Sequence, residues 1–187
     1  VPGRVVAEHR SHYRVATEAI ELSAGVPGRM RNRVAQRSDL PGVGDFVAVT
    51  VSEGDGPSTI ELVLPRTSAL IRKASGTTDP QLLAANIDVV FIVTAQGGDF
   101  KMQRVNRYLA LVQQSGAIPV IVVNKWDVAA EKGLNPEDYS EYLLQQLRGL
   151  DYAPVLFVSA KNNDGLSDLL EVAFNLYTQA SHRVKTK

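Results

Sequence analysis

The stretch Val120-Ile121-Val122-Val123-Asn124-Lys125-Trp126-Asp127, in one-letter form VIVVNKWD and running on as VAAEKG to Gly133, decides the fold. Four consecutive β-branched aliphatics end abruptly on polar residues. An apolar run without alternation marks a strand covered on both faces, as in a parallel sheet flanked by helices. The polar tetrapeptide then falls at the carboxyl end of that strand, where open α/β sheets bind ligands. It reads either as a helix-starting turn or as a reader of a base.

Outward from this strand the same alternation continues. The apolar run Ile87–Ala95 precedes it, followed by Phe100–Gly116 with Val105, Tyr108, Leu109 and Val112 at helical spacing and Gly116 as a stop. Beyond it come a helix from Asn135-Pro136 (N-cap and first helical residue), the strand Pro154–Ala160 and a helix from Asp164 to Ala180. Three strands alternating with three helices predict a parallel α/β sheet with right-handed crossovers over residues 82–187.

Upstream the period changes. Residues 1–64 break into GRVVAE, HYRVAT, EAIEL, VPGRMRNRVA, GDFVAVTV and STIELVL, separated by turn signals such as Pro41-Gly42 and Gly54-Asp55-Gly56-Pro57. Five or six short strands predict a small antiparallel β barrel, joined by a polar linker over 65–81. Asp39-Leu40-Pro41-Gly42 matches the DxxG of a nucleotide switch, but it follows polar residues and reads as a turn of the barrel.

Composition narrows the classes. The 187 residues hold 20 lysines plus arginines against 20 aspartates plus glutamates, so no whole-chain field points to nucleic acid or membrane. Cysteine is absent, which excludes disulfides and cysteine-ligated zinc and suits a reducing cytoplasm. No apolar run reaches the ~20 residues of a membrane span. His9 and His12 have no third metal ligand in sequence, and no metal site or catalytic residue is expected. His182 lies in a polar tail and is part of no Ser/His/Asp arrangement.

The chemistry of the tetrapeptide suits guanine. A carboxylate at Asp127 can accept from ring N1–H and exocyclic N2–H₂, a donor pair that adenine lacks. The stem of Lys125 can lie along the base, and Asn124 can tie two loops together or reach N7. Ser159-Ala160-Lys161 ends the next strand, where the Ala160 N–H can donate to O6. Trp126 is expected to pack beside the base pocket without touching guanine. A phosphate loop should supply glycines, then a lysine and a Ser/Thr, yet the chain holds no Gly-Lys dipeptide.

Barrel, linker, LLAANIDVVFIVTA, GDFKMQRVNRYLALVQQSGAIPVIVVNK and the SAK triplet resemble the RsgA/YjeQ (EngC) family of circularly permuted ribosome-assembly GTPases, specifically over residues 3–125. The resemblance implies an OB-fold barrel and a P-loop-GTPase-like domain whose base motifs precede its P-loop. It also implies GTP hydrolysis stimulated by the small ribosomal subunit and a role in maturing that subunit. By position it makes Asn124, Lys125 and Asp127 the guanine readers and Ser159, Ala160 and Lys161 the second base loop. Residues from about 120 onward, with NKWD, LDYAPVLFVSA and ASHRVKT, are also similar to the second G domain of the Der/EngA tandem GTPases. A chimera, an engineered recombinant and a truncated fragment are the alternatives left open. With the P-loop half missing, the expectation is no hydrolysis, Mg²⁺ only in the full-length family, and GTP or GDP held by base contacts at about millimolar affinity, roughly −4 kcal/mol. The missing half would also leave Val89–Thr94 as an exposed edge, inviting self-association.

A reading from another class is an rRNA-binding barrel. Arg29, Arg31, Arg33 and Arg37 lie close together without an intervening acid. Read as a strand, the first three share one face, and Arg66, Arg72 and Lys73 extend that stripe towards 16S rRNA. Tyr13 and Phe46 are candidate stacking residues, with Phe46 expected in the core.

Overall fold

The structure is a computed structural model that describes residues 1–54, 56–73, 80–95, 100–147 and 152–181. It divides into two compact units, Val1–Ile87 and Asp88–Lys187.

In the first unit, β1 (Pro2–Glu8), β2 (Tyr13–Ala16), β3 (Glu21–Gly25), β4 (Phe46–Thr50) and β5 (Ser58–Val63) close into a barrel of order β1-β2-β3-β5-β4. Strand alternation sends Val5, Val15, Ala24, Val47, Val49 and Ile60 into one core, each 3% exposed or less. The pairings are antiparallel except β3 with β5, a two-residue parallel seam of Ala24 with Ser58 and Gly25 with Thr59. This five-stranded closure is that of an OB-fold.

Three expectations change here. The VPGRMRNRVA segment is not a strand: Gly28–Arg33 forms a short helix, α1, started by Pro27 and leaning Met30 on the barrel core. At about 100° per residue, residues two apart on a helix point to nearly opposite sides. Arg29 and Arg33 therefore share a side that Arg31 does not, and the stripe of three is broken. The segment expected as a linker carries β6 (Ala69–Lys73) and the start of β7 (Pro80–Ala85), which pair antiparallel as a hairpin. Phe46 is 45% exposed, with the Arg4 guanidinium 5.2 Å from its ring centroid, whereas Tyr13 joins the core.

Arg66 is a structural residue. Its Nε and one terminal nitrogen donate to the two oxygens of Asp45, each at 2.7 Å, and Asp45 is fully buried. The same guanidinium donates to the carbonyls of Ser38 (2.7 Å) and Leu40 (2.9 Å), and Gly42 N–H completes the carboxylate at 2.9 Å. This planar fork suits a bidentate, desolvated pair. The DxxG residues thus lie in the turn that this pair closes. Gly44 has φ +93°, and a Cβ there would sit 2.0 Å from the Ala85 carbonyl oxygen, so only glycine lets the hairpin strand approach.

The second unit runs β8 (Val89–Ala95), α2 (Met102–Ser115), β9 (Ile118–Asn124), α3 (Trp126–Glu131), α4 (Pro136–Gln146), β10 (Val155–Phe157) and α5 (Leu166–Ser181). The three strands are parallel in order β10-β9-β8. β9 is the buried centre, with Val120, Ile121, Val122 and Val123 each 1% exposed or less. α2 buries Val105, Leu109 and Val112 and ends at Gly116 in the left-handed region (φ 82°). Asn135 accepts the Asp138 N–H at 2.8 Å as N-cap of α4, ahead of Pro136. β8 is less covered than its composition suggested: Phe91 is 37% and Val93 63% exposed. No helix among the described residues is long and apolar enough to cross a membrane.

Candidate functional site

The parallel pairing of β9 with β10 brings the two polar strand ends together. Phe157 lies beside Val123, Val158 N–H donates to the Val123 carbonyl (3.0 Å), and Trp126 N–H donates to the Val158 carbonyl (3.0 Å). Each chain therefore leaves the sheet against the other, and Asn124 meets Ala160.

At the tip, Asn124 Oδ1 accepts from its neighbour Lys125 N–H at 2.7 Å and from Ala160 N–H at 3.1 Å. One side chain thus brackets two loops 36 residues apart. Of the two roles open to it in sequence, the structure displays the tie. The Ala160 N–H, the candidate donor to a guanine O6, is engaged by Asn124 in this arrangement.

Lys125 takes up a left-handed conformation (φ 59°, ψ 36°) as N-cap of α3, and its side chain is exposed. Non-glycine residues seldom adopt it, and where they do the surroundings hold them there. Here the bracket on its N–H does so. Trp126 is 9% exposed and packs among Phe157 (centroids 4.3 Å) and Tyr139 (5.6 Å). It anchors the first turn of α3 under the loop. Burial, followed by the neighbouring Tyr142, raises the Tyr139 phenol above its ordinary value, so this wall is uncharged.

Asp127, in the first turn of α3, is half-buried and accepts the Ser159 hydroxyl at 2.8 Å on Oδ1. Ser159 itself is 1% exposed. Its oxygen also accepts Asn162 N–H (3.3 Å), and its backbone exchanges hydrogen bonds with Asp164 (3.0 Å each way). A carboxylate offers about four lone-pair sites, so the one Ser159 uses leaves Asp127 able to accept from a ligand. Lys161 is exposed on the same loop. The loop closes at Asn163 (φ 57°) and Gly165 (φ 68°), where a Cβ would lie 2.6 Å from the Phe157 carbonyl oxygen. The sequence reading did not single out Asp164, Gly165, Tyr139 or Phe157. Asn163-Asp164-Gly165 carried a turn signal that could have found the loop closure, but the aromatic wall has none.

The arginines of the first unit fare differently. Arg29 pairs with Glu61, while Arg31, Arg33, Arg37, Arg72 and Lys73 are exposed. Arg66 is committed to Asp45 and leaves the set. His9 and His12 stack their rings at 4.6 Å, and His182 lies outside the described residues.

A family model described as RsgA GTPase matches residues 63–179, including the segment from 120 onward. A protein of Opitutus terrae named small ribosomal subunit biogenesis GTPase RsgA is 37% identical over 179 residues, covering 90% of this chain and 47% of its own length. A namesake from Lactiplantibacillus plantarum, RsgA 2, is 40% identical over 129 residues, 69% of this chain and 36% of its own. The chain therefore spans about half the length, or less, of these relatives. Among solved structures, YjeQ from Thermotoga maritima superposes with TM-score 0.64 at 21% identity, over all of this chain and 66% of its own. YloQ, titled a circularly permuted GTPase, gives 0.60 at 21%, over 91% of this chain and 55% of its own. These likenesses support the barrel and α/β fold, and with the sequence matches they place the chain in the RsgA GTPase family.

Proposed function

We propose that the second unit is the guanine-reading part of a ribosome-biogenesis GTPase, with Asn124, Lys125 and Asp127 as readers and Ser159, Ala160 and Lys161 as the second base loop. One observation carries this: Asn124 brackets Lys125 and Ala160 while Ser159 aligns Asp127, so both loops are held around one point at the sheet's carboxyl edge. A helix-starting turn alone would need neither the second loop nor the left-handed lysine. On binding, the Ala160 N–H turns from Asn124 towards O6, or is shared between them.

The relatives' printed names support a part in biogenesis of the small ribosomal subunit, and the proposal extends from there. The protein works in the cytoplasm on the small ribosomal subunit, and the barrel touches 16S rRNA through Arg29, Arg31, Arg33 and Lys73. The two base loops, Asn124, Lys125 and Asp127 with Ser159, Ala160 and Lys161, hold GTP or GDP by the base alone, at about millimolar affinity, without a Gly-Lys phosphate loop. They hydrolyse none, and Mg²⁺ belongs only to the full-length family. The uncovered β8 edge at Val89–Thr94 pairs with a second copy at high concentration.

Calorimetric titration with GDP, GTP and ATP, with and without Mg²⁺, tests the reading. Weak, Mg²⁺-independent binding of both guanine nucleotides, with no response to ATP, is expected. An equal response to ATP refutes guanine recognition, and tight Mg²⁺-dependent binding of GTP refutes the base-only grip. For the barrel, filter binding of 16S-type rRNA should weaken steeply with salt and on replacing Arg31 and Arg33.

A further inference from the structure

The first unit holds a cavity of about 450 Å³ that the guanine reading leaves unused. Its wall is built by the β1–β2 turn, α1, the turn before Pro41, and β7. The lining brings together two kinds of side chain. Arg10, Arg31 and Arg37 supply three guanidinium groups, against the single carboxylate of Glu8. Tyr13, Leu40 and Leu82 supply aromatic and aliphatic surface.

None of the three arginines makes an ion pair among the described residues, although Arg14, Arg29 and Arg66 of the same unit each have a carboxylate partner. Unpaired cations are thus concentrated at one hollow of a chain whose formal charges cancel. Tyr13 is 7% exposed and its ring belongs to the barrel core, closing the floor of the cavity. A cavity of this size lies within the ~300–1,000 Å³ usual for small-ligand sites and far exceeds what one phosphate ion needs.

We propose that this cavity is a second ligand site, which takes a 5′-phosphorylated ribonucleotide with its phosphate on Arg10, Arg31 and Arg37 and its base against the apolar side chains of Leu40 and Leu82. The nucleotide is either free or an unstacked residue of single-stranded RNA. Guanidinium forks match phosphate oxygens, and apolar contact with the face of a base is indifferent to which base is offered. The apolar wall argues for a base-bearing ligand over a bare anion, because an anion alone gains nothing from it. Arg31 and Arg37 were legible in sequence as cations, but Arg10 joins them only through the fold.

The test uses the full chain and adenosine 5′-monophosphate, since the adenine ring lacks the donor pair Asp127 reads. Binding is followed by NMR shifts of Tyr13 and the arginine side chains. Binding at about millimolar is expected, weakened roughly tenfold by Arg10→Ala or Arg37→Ala, the loss of one charge-assisted contact. Both arginines are exposed, and circular dichroism confirms that the variants fold. Inorganic phosphate should bind more weakly than the nucleotide; equal binding overturns the assignment of a base. Hexa-adenylate binding more tightly than the mononucleotide, with the same loss on Arg37→Ala, identifies RNA as the source, and equal affinities identify a free nucleotide. If hexa-adenylate binds but neither Arg10→Ala nor Arg37→Ala weakens it, the cavity site fails while the wider rRNA reading stands. No shift at Tyr13 with either adenylate up to about ten times the expected constant overturns the proposal outright.

Discussion

In the first turn of α3, Asp127 is the proposed discriminator between guanine and other bases, and the Ser159 hydroxyl holds one of its carboxylate oxygens. Asp127→Asn therefore has a defined outcome. The amide oxygen can still accept from Ser159, while its nitrogen now donates. Guanine's N2–H₂ then meets a donor, and xanthine, with a carbonyl at that position, meets a partner. Titration with the two diphosphates should reverse their order, each losing or gaining at least about tenfold. Unchanged preference would mean that Asp127 does not face the base. Tyr13 gives a second expectation. Burial first, then Glu8, raises its phenol above the ordinary value of 10.0, against the pull of Arg31 and Arg37. The neutral form is favoured by the fold, so its contribution is complete below pH 10 and is lost as pH rises through the folded value. Urea midpoints of the wild type should fall as pH rises above 10, and Tyr13→Phe should show a shallower fall. That two polar strand ends lie on neighbouring strands was legible, because NKxD and SAK each follow an apolar run. The engaged Ala160 N–H was not, since it depends on a contact 36 residues away.

Between residues and units stand the turns that set the elements. Gly165 starts the approach to α5 at φ 68°, with the Phe157 carbonyl where a Cβ would go. Gly165→Ala should cost about 1–3 kcal/mol by denaturant unfolding, as strain in a conformation only glycine adopts freely. Full retention of stability would show that the loop can re-form. The Arg66 clamp on the turn before β4 is a sharper case. Arg66→Ala leaves the Asp45 carboxylate buried with the Gly42 N–H as its remaining donor, and should cost about 3–5 kcal/mol. A loss within the range of a surface pair, under about 1 kcal/mol, would refute the buried role. The sequence read β9, α2 and α4 well because burial on both faces, a helical stripe and an Asn-Pro cap are local signals. It misread α1, where Pro-Gly and alternating arginines look the same in a strand or in one and a half turns of helix. It misplaced Arg66 because a polar linker and a buried clamp have the same composition.

Each of the two units has its own core, and the second leaves apolar side chains open on both a strand and a helix. α5 packs Leu166, Leu169, Val172 and Leu176 on the sheet core, yet Leu170 and Phe174 are more than 60% exposed. Val93 on β8 is equally open. An uncovered strand edge and a second apolar helix face are liabilities for association. Sedimentation velocity should show a concentration-dependent shift that Val93→Lys diminishes. A single monomeric species at all concentrations, for wild type and variant alike, would count against pairing through β8. In sequence only β8 carried this warning.

The barrel is sealed by two residue pairs, Ala24 with Ser58 and Gly25 with Thr59, while its other seams run through three or more. Closing that seam joins segments more than thirty residues apart in exchange for very few backbone bonds. It should therefore be the last part of the barrel to zip and the first to part. In native-state amide exchange the protons of β3 and β5 along this line should open by a local route, well before those of β1 and β2 exchange through global unfolding. The barrel would then breathe like a sleeve along one stitch, with the rest of its wall intact.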